Sequence, residues 1–97
     1  MRRQDVLNLL NQHIDRLRRT FHVKSLALFG SVARDETRAD SDVDILVEFD
    51  KIVGLRGFMD CRFELEEILG CHVDLVMASA LRPSRRPYVE SEAIPIA

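Results

Sequence analysis

The chain has 97 residues, 46% of them hydrophobic, with 14 Lys+Arg set against 16 Asp+Glu for a net charge of −2. That length is enough for one small domain, expected over residues 1–97. The hydrophobic fraction excludes a disordered chain. The charge balance excludes wrapping of nucleic acid through bulk charge, and no direct nucleic-acid partner is expected. A domain of this size keeps a thin stability margin, so a site in it must be compact or borrow walls from a partner. No apolar run reaches the length of a membrane span. Cys61 and Cys71 form no C-x-x-C pair and no signal-peptide pattern is present, so reduced, buried thiols and a cytoplasmic location are expected.

The first segment reads as an amphipathic helix. Val6, Leu9, Leu10, Ile14 and Leu17 recur at helical spacing. Asp5 stands near its start and Arg16, Arg18 and Arg19 near its end, as the helix dipole favours. Ser25 to Phe29 is a short apolar run ending at Gly30, the pattern of a buried strand. The polar stretch Arg34 to Ser41 has turn chemistry. Val43, Ile45 and Val47 then alternate with Asp42, Asp44 and Leu46, the period of a half-buried strand. Gly54 to Leu69 is predicted as a second long helix, with Leu55, Phe58, Met59, Leu65, Ile68 and Leu69 on its apolar side and Gly70 ending it. His72 to Met77 is a third strand. The tail from Ser79 is expected to be helical in part, interrupted by Pro83 and Pro87. The apolar end Ile94-Pro95-Ile96 is expected to dock on the core or on another chain. The order helix, strand, strand, helix, strand, helix gives an α/β (α+β) domain, a small mixed sheet flanked by helices.

One constellation carries chemistry: Gly30-Ser31, a ten-residue interval, then Asp42-Val43-Asp44. Residues two apart on a strand share a face, so both carboxylates point one way while Val43, Ile45 and Val47 point to the core. Neighbouring carboxylates repel, and a divalent cation between them removes the repulsion; Mg²⁺ prefers one or two carboxylates completed by water and substrate phosphates. Glycine just past a strand lets a ligand approach the backbone, and a serine there offers a hydroxyl and an N–H to phosphate. If the loop returns the chain as an antiparallel strand, phosphate cradle and metal site meet at one end of the sheet. A third carboxylate, Asp74, sits inside a short apolar strand and would join the pair if that strand lies beside the second. Three carboxylates suit in-line phosphoryl chemistry, with Asp74 nearest the acceptor hydroxyl. Each element alone has a plainer reading: Gly-Ser is a common turn, Asp-x-Asp a solvated strand start, and Asp74 a helix cap or an ion-pair partner of an arginine. The combination is more specific than its parts.

Other groups carry weaker signals. Arg82, Arg85 and Arg86 form a second basic cluster, read as a solvated face or an anion contact. Glu64, Glu66 and Glu67 with Arg62 read as a solvated helix face. His13 and His22 read as packing or surface residues, and Tyr88 as a packing or interface residue. A zinc site from Cys71, His72 and Asp74 is disfavoured, because Cys71 faces away from the other two and no second ligand cluster follows.

The stretches Phe29 to Arg34 and Ser41 to Phe49 resemble the minimal nucleotidyltransferase branch of the DNA polymerase β superfamily, whose signature is Gly-Ser, a loop, then Asp-x-Asp. The resemblance continues through Leu69-Gly70, Val73 to Val76, Ala80 to Pro83 and Glu92-Ala93. It implies that Asp42 and Asp44 bind Mg²⁺, that Asp74 completes the triad, and that Gly30 and Ser31 hold the triphosphate of ATP, with Arg34 beside them. The family often follows that arginine with glycine, where this chain has Asp35. The resemblance further implies an antitoxin that transfers AMP from ATP to a tyrosine hydroxyl of a HEPN-domain ribonuclease toxin, in a hetero-oligomer. Larger relatives add a domain for an antibiotic, tRNA or primer; a protein acceptor is expected here, with the second arginine cluster and the apolar tail as docking elements. Two rival readings stand beside it: an antitoxin that works by binding alone, and a small-molecule or RNA-end nucleotidyltransferase that needs a partner subunit.

Overall fold

The structure, a computed structural model, describes residues 2–36 and 42–96. The elements are α1 (Arg3–Phe21), β1 (Val23–Phe29), α2 (Gly30–Ala33), β2 (Val43–Phe49), α3 (Gly54–Leu69), β3 (Val73–Met77), a 3₁₀ turn (Ala78–Ala80), α4 (Arg86–Glu92) and β4 (Ile94–Pro95). The part of the expected polar turn at residues 37–41 lies outside the described residues.

Helix α1 forms where the sequence predicts it. Val6, Leu10, Ile14 and Leu17 are its buried stripe, and Asp5 and the pair Arg18 and Arg19 sit in its first and last turns. His22 ends it in the left-handed conformation (φ 60°), its N–H donating to the Leu17 carbonyl. The bend delivers the chain directly into β1. That strand begins at Val23, earlier than the apolar run suggests, because a bulge between Val23 and Ser25 shifts the register. The extra residue puts Val23 and Leu26, three apart, on the same buried side, where strict alternation would have separated them.

The sheet order is β3-β2-β1-β4. β1 and β2 are antiparallel, as expected from a chain reversal through the polar loop. β2 and β3 are parallel, and α3 is the crossover that parallel neighbours require. The sheet is therefore mixed. One face and the two long helices share a single core: Leu26, Leu28, Val43, Ile45, Val47, Val73 and Leu75 from the strands, the α1 stripe, and Cys61, Leu65 and Leu69 from α3. On the other face β2 presents Asp44, Leu46 and Glu48, and β3 presents Asp74 and Val76.

Three expectations are corrected. On α3 the buried stripe is Cys61-Leu65-Leu69, spaced by four, whereas Leu55 is 78% exposed. Leu55 lies in the first turn of α3, on the lip of an open groove with Phe58 and Met77, where β3 has ended. Glu64 and Glu66 are not simply solvated: Glu64 Oε1 pairs with Arg16 of α1 at 3.2 Å, and Glu66 Oε2 accepts the Val73 N–H at 3.0 Å. Cys71 is only half-buried, while Cys61 is fully buried with its thiol pushed up to about 12 by that burial. The expectation for the apolar end resolves in favour of the chain's own core. Ile94 and Pro95 pair with Leu28 and Ala27, the Ile96 N–H donates to the Leu26 carbonyl at 2.8 Å, and Ile96 is 6% exposed.

The two leucines of α3 offer a direct check. Leu65→Ala leaves a cavity in the shared core and is expected to lower unfolding free energy by about 3 kcal/mol. Leu55→Ala removes an exposed side chain and is expected to change it by less than about 0.5 kcal/mol. Urea denaturation followed by circular dichroism reads both.

Candidate active site

The parallel pairing of β2 with β3 sets Asp44 opposite Asp74. Both side chains point to the face that the core does not use. Asp44 is half-buried and Asp74 exposed, so Asp74 is not the buried acid its apolar strand suggested; it stands on the open side of the sheet. The two side chains are within hydrogen-bonding reach of each other. Burial first, then the charge and hydrogen bond of Asp74, then the charge of Asp42, push the Asp44 carboxyl from 3.8 up to about 6; Arg34 opposes the shift. Asp42 lies one residue before β2 and is exposed. Its Oδ1 stands 3.4 Å from His72 Nδ1, and the His72 carbonyl accepts the Val43 N–H at 3.1 Å. His72 Nε2 is 3.9 Å from Glu66 Oε2. Asp42 therefore leans on the chain entering β3, while Asp44 and Asp74 face each other.

Gly30 meets this pair from β1. It takes φ 76°, a conformation that favours glycine, and a Cβ built there would collide with Asp44 Oδ2 and lie 2.9 Å from its Cγ. Only the lack of a side chain allows the Asp44 carboxylate to lie against the backbone at the start of α2. Ser31 follows as the second residue of that short helix, and Val32 and Ala33 anchor it in the core. Arg34 closes α2 and is exposed. Its Nε donates to Glu36 Oε2 at 3.1 Å and its Nη1 to Glu92 Oε2 at 2.9 Å. These bonds, Glu36 before Glu92, raise the guanidinium pKa further. Asp35 has φ 60°, so aspartate, one of the residues that tolerate the left-handed region, adopts it here.

The structure thus brings Gly30, Ser31, Arg34, Asp44 and Asp74 to one end of the sheet, with Asp42 at its margin beside His72. Among the described residues no three His, Cys, Asp or Glu side chains stand in a ready-made ligand arrangement. The donor chemistry nevertheless fits a hard cation. Asp44 and Asp74 offer oxygens only, and their mutual repulsion is what a divalent ion relieves. The thiol of Cys71 is raised by burial, the opposite of what a zinc thiolate needs. A groove of about 650 Å³ lies at the other end of β2 and β3 around Val47, Phe49 and Met77 and holds none of these groups.

Sequence reasoning passed over Glu92, His72 and Glu66 as members of the site. Glu92 is one charge among several on a short helix after two prolines, and only the pairing of β4 with β1 brings it to Gly30. Of the second arginine cluster, Arg86 donates to the Ala78 carbonyl at 3.1 Å and lies 3.7 Å from Glu90, while Arg82 and Arg85 are exposed.

A carboxylate pair on the open face of a small mixed sheet, beside a Gly-Ser turn, is an arrangement suited to phosphoryl transfer. The nucleotidyltransferase domain family matches residues 10–96, and the chain belongs to it. The protein adenylyltransferase MntA of Thermococcus cleftensis is 43% identical over 91 residues, covering 94% of this chain and 92% of that protein. A solved structure of a candidate minimal nucleotidyltransferase superposes with a TM-score of 0.83 at 36% identity, covering 98% of this chain and 96% of that one. A tri-AMPylated Shewanella oneidensis HEPN toxin in complex with its MNT antitoxin also matches, with a TM-score of 0.67 at 20% identity over 94% of this chain and 71% of that one, and shares the fold.

The raised Asp44 carboxyl makes stability depend on pH. A carboxyl whose folded pKa exceeds its ordinary value contributes stability that is full below about pH 3.8 and is lost as pH rises through about 6. In EDTA the melting temperature is expected to fall from about pH 4 to a little above pH 6, and Asp44→Asn is expected to lack that part of the fall. Millimolar Mg²⁺ at neutral pH is expected to restore the wild-type melting temperature and to leave the Asn variant unmoved. Differential scanning calorimetry reads all three.

Proposed function

We propose that this chain transfers AMP from ATP, with Mg²⁺, to a tyrosine hydroxyl of a HEPN-domain toxin, and that it is the antitoxin of that pair in the cytoplasm. The observation that carries the reading is the Asp44–Asp74 pair set against the Gly30 backbone, in a chain 43% identical to a protein adenylyltransferase. The AMPylated toxin held by a relative of the same fold supports the choice of acceptor.

Asp42, Asp44 and Asp74 would hold the Mg²⁺. When bound, the ion supplies charge neutralisation for the triphosphate and for the departing pyrophosphate. The chain's own residues do the rest. Gly30, bare of a side chain, lets the triphosphate approach the backbone, and the Ser31 hydroxyl and N–H with the Arg34 guanidinium hold it. Asp74, the more exposed member of the pair, faces the side from which a partner's hydroxyl arrives and takes its proton. The bond formed joins the tyrosine oxygen to the α-phosphorus, the bond broken is that from the α-phosphorus to the bridging oxygen, and pyrophosphate leaves with that oxygen. Exposed Arg82 and Arg85 remain candidates for docking an acidic surface of the partner, whereas Arg86 is engaged within the tail.

The reading separates from neutralisation by binding alone in a growth assay. With a cognate HEPN toxin co-expressed, the wild-type chain is expected to restore growth. Asp42→Asn/Asp44→Asn is expected to bind the toxin in a pull-down and yet fail to restore growth. Full rescue by the double variant would assign neutralisation to occlusion.

A further inference from the structure

We propose that Glu92 is a positioning residue of the nucleotide site, clasping the Gly30 N–H and the Arg34 guanidinium and holding both as the triphosphate needs them. This deepens the reading of Gly30 and Arg34 as nucleotide-binding residues and rests on it.

The clasp uses both oxygens of one carboxylate. Oε1 accepts the Gly30 N–H at 3.3 Å and Oε2 accepts from Arg34 Nη1 at 2.9 Å. Its placement follows from sheet register. Leu28 pairs with Ile94 in the antiparallel ladder of β1 and β4, and continuing that register two residues brings Gly30 opposite Glu92. The tail is not free to drift. The Ala93 N–H closes α4 onto the Val89 carbonyl at 2.9 Å, and beyond β4 the Ile96 side chain is seated in the core. Glu92 is thus fixed from both sides of its own backbone, against the residue that the Asp44 carboxylate also touches.

Arg34 needs such a clasp. Its side chain is long, exposed and rich in rotamers, and a guanidinium recognises phosphate well only when its plane is correctly set. Glu36 takes Nε and Glu92 takes Nη1, which sets the plane before nucleotide arrives. Ordering the side chain in advance removes that entropy loss from the binding step. A carboxylate beside an anion site could instead compete with the triphosphate. The two roles give opposite signs, so they separate in one experiment.

The experiment titrates the full chain with Mg²⁺ and the α,β-methylene analogue of ATP, which cannot be cleaved at the α-phosphorus, by calorimetry. Glu92→Gln keeps the size of the side chain but replaces one accepting oxygen with an amide nitrogen that cannot accept. It is expected to weaken binding about fivefold with an unchanged melting temperature. The control Glu90→Gln, on the same helix but outside the clasp, is expected to bind as the wild type does. In the wild type the Arg34 Nη1 hydrogens are expected to give a resolved, slowly exchanging NMR signal that Glu92→Gln broadens. Unchanged affinity in Glu92→Gln would overturn the clasp, and tighter binding would make Glu92 a competitor of the nucleotide instead. Absence of binding by the wild-type chain would remove the nucleotide site itself, and the clasp with it; wild-type binding with a silent Glu92→Gln would remove the clasp alone.

Discussion

Two carboxylates side by side on parallel strands are an unfavourable thing to build, and the rest of the fold accommodates that one pairing. Asp44 and Asp74 meet because β2 and β3 run parallel in that register, which obliges the chain to cross over through α3. The alternate residues Val43, Ile45, Val73 and Leu75 are buried beneath the helices, so a slip of one residue would exchange core and carboxylates. Hydrophobic burial thereby enforces a contact that electrostatics opposes. Burial of Asp44, and after it the charge of Asp74, push its carboxyl up to about 6.

The second constraint is close approach. Gly30 must be glycine both for its φ of 76° and because a Cβ would strike the Asp44 carboxylate. The first strand thus ends against the second strand's acid, and everything attached to Gly30 is drawn to the same point. Arg34 closes the short helix that Gly30 opens, and the tail returns alongside β1 to bring Glu92 to both. The site is therefore assembled from β2 and β3, which supply Asp44 and Asp74, from the short helix α2 with Arg34 at its end, and from Glu92, the last residue of α4. A domain with so thin a core can afford a polar site of this kind because its acids lie on the open face, where water or a bound cation can reach them.

Much of this was legible in the sequence, and the reason is periodicity. Strict alternation around Asp42 and Asp44 announced which residues face the core, and Gly70 ended α3 as a left-handed cap (φ 69°) where expected. The Gly-Ser and Asp-x-Asp spacing, together with the resemblance it carries, pointed to one end of the sheet, and the structure gathers Gly30, Ser31, Asp44 and Asp74 there. What escaped was whatever depends on tertiary register. The bulge at Val23 breaks the alternation that reveals a strand. β4 is two residues long and contains a proline, so nothing local marks it as paired. Glu92 inherits its role from that pairing, and Glu66 from the turn that brings Val73 beneath it. Leu55 misled because helical periodicity reports a face and not where the sheet under that face stops. Asp35 takes a left-handed φ of 60° that nothing in its local sequence announced.

The account's central claim is that these carboxylates serve covalent transfer onto a protein. Intact-mass spectrometry of a cognate HEPN partner, after incubation with this chain, ATP and Mg²⁺, tests it most directly. The account predicts a gain of one or more AMP units on the partner, with none when Asp44→Asn replaces the wild-type chain. A stable complex whose partner keeps its unmodified mass would contradict it.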